Sequence, residues 1–180
     1  MVVQAKFSRV ILESYLVLII SAILSLLAGF LLQENLDRIL RLSMLVALVP
    51  PINNLGGNLG CMVGARVSTA LHLGSISGFR SKQARKEFFS GLVSGLSSSV
   101  LVGSALFALG FAGFPARIVW IFLLASVMQT LLAVFIALWL ALMSFRKGLD
   151  PDNIVSPIIT SVCDVGGVTS LFVAARLLGF

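Results

Sequence analysis

The chain has 180 residues, of which 58% are hydrophobic and 11% charged, and its mean hydropathy is +1.08. These proportions exclude a soluble domain and indicate an all-α integral membrane protein, a single transmembrane domain over 1–180 with no second, soluble unit expected. The net charge of +6 would suit nucleic acid, but the basic residues fall in short loops between apolar runs, where orientation signals belong, so no nucleic-acid partner is expected.

Apolar runs predict five spans, over about 10–32, 39–69, 88–110, 116–145 and 153–178. The first follows Lys6 and Arg9 as a signal peptide would, but it is too long for one and lacks a cleavage site, so it reads as a retained helix. Glu13, a turn inside it, is read as snorkelling to the interface or paired. The linker from Gln33 to Arg38 is short and polar.

The second run contains Pro50-Pro51-Ile52-Asn53-Asn54-Leu55-Gly56-Gly57-Asn58-Leu59-Gly60. Two prolines, three asparagines and three glycines at membrane depth predict a broken helix, because lipid offers no partner to a freed N–H or C=O and such backbone survives only inside protein or along a wet cavity. The alternative is a proline-kinked, glycine-packed helix with no ligand. If helix resumes near Asn54, then Asn54, Asn58, Cys61 and Ala65 share one face, while Gly56, Gly60, Gly64 and Ser68 form a small-residue row on another. One face is then free to meet an ion and the other to pack closely.

His72, in the basic loop that follows, is read as solvated, with no metal partners legible nearby in sequence. Cys61 and Cys163 lie inside apolar runs and read as packing residues. In the third span Gly91, Gly95, Ser99 and Gly103 recur at intervals of four, which predicts a tight helix contact. A turn is expected from Phe111 to Pro115. The fourth span places Trp120 and Trp139 toward the interfaces, with Gln129 near its middle as an interhelical hydrogen-bond donor.

Asp150-Pro151-Asp152-Asn153 is a helix-start signal for the fifth span. Asp164 falls near the midpoint of that span, where an ionisable group costs a few kcal/mol or more unless it faces a partner or water. Ser156, Thr160, Cys163, Asp164 and Gly167 lie along one stripe, so small and hydroxylated residues flank the carboxylate.

The basic residues divide between the two ends. Lys6, Arg9, Arg66, Arg80, Lys82, Arg85, Lys86, Arg146 and Lys147 fall on one side, against Arg38, Arg41, Arg117 and Arg176 on the other. This bias predicts a multi-pass protein of the cell membrane with its N-terminus cytoplasmic and its C-terminus outside.

The oxygen donors of the second and fifth spans suit a hard cation. Magnesium, usually held by one or two carboxylates and retained water, fits the set. One carboxylate per chain would become two across a homodimer with the ion on its axis. Calcium, manganese, sodium and protons remain open on residues alone.

The segment from Pro50 to Leu59 and the run Arg66-Val67-Ser68-Thr69-Ala70 resemble the signature of the MgtE and solute-carrier-41 magnesium transporter superfamily. So do Leu149-Asp150-Pro151-Asp152-Asn153, Pro157, Thr160 and Asp164, which are similar to its final helix. Met62, where bacterial members typically carry glutamine, and the Arg66 to Thr69 element lean toward the solute-carrier branch.

The resemblance implies a homodimeric five-helix membrane domain with the cation path at the interface, lined by the second and fifth spans. The pore aspartate then maps onto Asp164 and the Gly-Asn element onto Gly57 and Asn58. The large cytoplasmic sensor of bacterial members is not expected in this length.

The expected metal set is Asp164, Asn58, Asn54, Gly57, Gly56 and Thr160, with Mg2+ as the transported ion, Mn2+ and Co2+ as further candidates, and no enzymatic activity. Channel flow and sodium- or proton-coupled exchange both remain open. A non-transporting packing or interaction subunit is the alternative of another class.

Overall fold

The computed structural model describes residues 2–34, 43–110 and 116–179. The Glu13 side chain, the linker and start of the second span over 35–42, and the turn over 111–115 lie outside the described residues. Every regular element of the described residues is a helix: α1 (Val2–Glu34), the single turn α2 (Ser43–Val46), α3 (Val49–His72), α4 (Lys82–Gly110), α5 (Ala116–Arg146) and α6 (Pro151–Leu177).

Four of these, α1, α4, α5 and α6, are long and apolar enough to cross a membrane. The fifth long helix, α3, carries the prolines, asparagines and glycines, which lower its hydropathy. It nonetheless lies inside the bundle, packed against α4, α5 and α6.

The break expected within the glycine-asparagine run is instead at Ala47 and Leu48, between α2 and α3. Pro50 and Pro51 stand in the first turn of α3, where a missing N–H costs nothing because those N–H groups have no intrahelical partner. Helix then continues through Gly56 and Gly57, so their carbonyls belong to an unbroken ladder and not to an unwound one.

At α6 the helix-start signal reads as expected. Asp150 is the N-cap and its carboxylate accepts from the Asp152 N–H at 3.1 Å. Gly148, at φ +71°, takes the left-handed conformation that turns the chain from α5 into α6 within four residues.

Glycines set the helix spacing. In lipid no hydrophobic force draws helices together, so close van der Waals contact must do so. A Cβ on Gly60 would strike Ile159 and one on Gly64 would strike Val155, which puts the small-residue face of α3 directly on α6. Gly91 and Gly95 likewise admit Val63 and Leu59 of α3 with Val134 and Thr130 of α5, and Gly103 admits Leu123. The α4 seam is therefore a contact, as its spacing predicts.

The core falls into two apolar clusters. One gathers Leu59, Val63 and Val67 with Val134, Ala137, Val155 and Ile159; the other gathers Leu48 and Ile52 with Ile121, Phe122, Leu171 and Ala174. Between them lies a polar layer. Asn53 and Gly56 of α3, Gln129 of α5, and Asp164, Gly166 and Gly167 of α6 all fall in the gap between the clusters.

Candidate functional site

Asp164 is half-buried in that layer. Asn53 Nδ2 donates to its Oδ1 at 3.2 Å, and Ser25 Oγ of α1 lies 3.3 Å from its Oδ2. The same Ser25 hydroxyl is 3.2 Å from Ser161 Oγ, so its one proton has two acceptors in reach. Three helices thus meet at one carboxylate. Neither Asn53 nor Ser25 belongs to the set expected from sequence.

The layer continues inward through amides. Fully buried Gln129 donates from Nε2 to the Cys163 carbonyl at 2.7 Å, the interhelical bond its position predicts. Its Oε1, and Asn53 Oδ1, are buried without a hydrogen-bond partner among the described residues. Gly56 accommodates the Gln129 side chain, and Gly167 leaves room for the Asn53 amide oxygen. These glycines therefore let two amides press on α6 directly above and beside Asp164's turn.

The other expected residues lie on the outer side of the same two helices. Asn54 and Asn58 of α3 and Ser156 and Thr160 of α6 are exposed, and Cys61 is half-buried. Asn58 Nδ2 donates to Asn54 Oδ1 at 3.0 Å. Thr160 Oγ1 donates back to the carbonyls of Pro157 at 2.9 Å and Ser156 at 3.1 Å, which commits its proton and leaves the oxygen able to accept. A Cβ on Gly57 would sit 3.5 Å from Thr160 Cγ2, so α3 and α6 are in contact at this point.

The two-faced reading of α3 therefore holds: Gly56, Gly60, Gly64 and Ser68 are buried, while Asn54, Asn58 and Ala65 are exposed. The α6 stripe divides, with Ser156 and Thr160 outside and Cys163 and Gly167 inside. A strip of amides and hydroxyls from two neighbouring helices, with Asp164 at its inner margin, is left uncovered. Uncovered polar groups of this kind are costly in lipid unless they face water, an ion or another protein surface.

His72 is not without neighbours. It is exposed, but its Nε2 lies 3.6 Å from Asp150 Oδ1, its ring meets Phe145 edge-on at 5.5 Å, and Asp152 completes a group whose ligand atoms lie within 4.8 Å of one another. The turn at Gly148 causes this, by bringing the start of α6 beside the end of α3.

Residues 49–174 match the family described as "MgtE: Divalent cation transporter". The chain is 30% identical to solute carrier family 41 member 2 of Mus musculus over 152 residues, covering 74% of this chain and 26% of that protein. It is 29% identical to the Homo sapiens member 2, with the same coverage. Against solute carrier family 41 member 3 of Rattus norvegicus it is 28% identical over 180 residues, or 89% of this chain and 38% of that protein. The chain thus spans about a quarter to two fifths of the length of these curated relatives. No solved structure matches it.

Proposed function

Because this chain belongs to the MgtE divalent cation transporter family, we propose that it carries Mg2+ across the cell membrane as a largely hydrated ion. The path runs along the polar strip of α3 and α6 where two copies meet. The single observation that supports this reading most is the exposed line of Asn54, Asn58 and Thr160 beside the half-buried Asp164. Neutral oxygens in number, with one carboxylate, suit hydrogen bonds to the waters that Mg2+ gives up reluctantly better than direct six-fold ligation.

A second copy supplies the second carboxylate and covers the strip. The two protomers share one orientation, the N-terminus on the cytoplasmic side, which agrees with nine of thirteen basic residues lying on that side. Gly56 and Gly57 serve by setting how closely α3 runs to Gln129 and Thr160, which holds the lining in register. Mn2+ and Co2+, of similar size and hydration, follow the same path.

The test is uptake by proteoliposomes holding the purified chain. Mg2+ influx that follows its own gradient, is unaffected by imposed sodium or proton gradients, and is blocked by cobalt hexammine is expected. That complex mimics a hydrated ion that cannot shed its shell. Influx that requires a sodium or proton gradient makes the protein a coupled exchanger, and indifference to cobalt hexammine contradicts the hydrated-ion path.

A further inference from the structure

The loop between α3 and α4 and the end of α5 border an open surface cavity of about 460 Å³ lined by Ser77, Gly78, Phe79, Arg80, Ser81 and Arg146. We propose that this cavity is a binding site for a phosphate group, carried by an anionic lipid headgroup or free in solution. It lies at the opposite end of α5 from Arg117 and has no part in the path proposed above.

The loop is fixed in place before any ligand arrives. Ile76 is buried and Phe79 packs on the core cluster of α3 and α5. Ser75 Oγ donates to the Ala70 carbonyl at 2.9 Å, and the Ser81 N–H donates to the Gly78 carbonyl at 3.1 Å. With those anchors inward, Ser77 and Arg80 are left exposed. Arg146, from the last turn of α5, reaches over the loop so that its Nη2 lies 3.4 Å from where a Cβ on Gly78 would be. Glycine there leaves the guanidinium room to lie against the backbone.

Two guanidiniums therefore border one cavity, and among the described residues neither has a carboxylate partner. Planar N–H forks of this kind match phosphate oxygens in pairs. The floor adds to the field. Ser81 caps α4, accepting from the Ala84 N–H at 3.2 Å, so the positive end of a 29-residue helix opens into the same space. Lys82, Arg85 and Lys86, on the first turns of α4, and Lys147, next to Arg146, are exposed as well. Of the acids at this end, Glu87 accepts from the Gln83 amide at 2.9 Å, and Asp150 and Asp152 gather around His72. A basic pocket between helix ends at a membrane surface is suited to an anionic headgroup.

Trp139, exposed and two turns before Arg146, offers the readout. In a Trp120→Phe background reconstituted in phosphatidylcholine, brominated phosphatidic acid is expected to quench Trp139 more strongly than brominated phosphatidylcholine. Arg80→Gln and Arg146→Gln should each lower that preference about fivefold, Arg80→Lys should restore part of it, and Arg176→Gln at the far end should leave it intact. Displacement of the brominated phosphatidic acid by inorganic phosphate assigns the site to soluble phosphate, and its retention assigns it to the lipid; either supports a phosphate site. Equal preference for phosphatidic acid in the parent and in a folded Arg80→Gln, Arg146→Gln double variant overturns it.

Discussion

Asn53 donates from Nδ2 to Asp164 Oδ1 across 3.2 Å, joining the second turn of α3 to the mid-span carboxylate of the last helix. The bond fixes one carboxylate oxygen and turns the amide oxygen toward Gly167, so the direction in which Asp164 presents its charge depends on α3.

Asn53→Ala is accordingly expected to lower the stability of the protein by about 0.5–1.5 kcal/mol, the range for interhelical hydrogen bonds in membranes, and to slow Mg2+ flux per folded molecule. Asn53→Asp should slow it further, since a carboxylate in place of the amide has no N–H to offer Asp164 Oδ1. Thermal unfolding in detergent and flux in proteoliposomes check the pair; unchanged flux in Asn53→Ala would remove Asn53 from the account.

The glycine contacts give a second expectation with an internal control. Gly60→Ala sets a methyl against fully buried Ile159, and should destabilise by about 1–3 kcal/mol because neither helix can retreat without losing its other contacts. Gly29→Ala meets nothing within 4 Å and should stay within about 0.5 kcal/mol of the parent. Melting temperatures of the two variants in one detergent decide it, and equal values would show that α3 and α6 are not in the contact described.

Much of this arrangement is legible in sequence where a single helix holds the information. Asp164 at mid-span, the start of α6 at Pro151, the Gly91 to Gly103 seam and the Gln129 donor all follow from spacing or depth within one segment. What is not legible depends on phase or on partners. Placing the α3 start near Asn54 instead of Val49 hid the role of Asn53, because helix phase decides which of two adjacent asparagines faces inward. Ser25 is one serine in a long apolar run with no periodic signal. His72 and Asp150 are distant in sequence and meet only because of the Gly148 turn. The prolines suggested a break in the wrong place because sequence alone does not separate a helix start from a helix kink.

Assembly is testable on the exposed strip. With Cys61 and Cys163 replaced by serine, Asn54→Cys or Asn58→Cys should be trapped as a homodimer by a short bifunctional cross-linker in membranes, whereas a cysteine at Leu101, exposed on α4, which packs on α3 and α5, should not. A chain that remains monomeric in proteoliposomes and still transports contradicts the interfacial path.

The most direct measurement is Mg2+ influx into proteoliposomes carrying Asp164→Ala and Asp164→Asn beside the parent, with folding verified by thermal unfolding. A divalent ion at mid-membrane needs the charge balance that a carboxylate supplies, and Asn keeps the shape without the charge. Influx is expected to fall about tenfold or more in both variants. Parental influx through a folded Asp164→Ala protein would contradict the assignment of the path to this carboxylate.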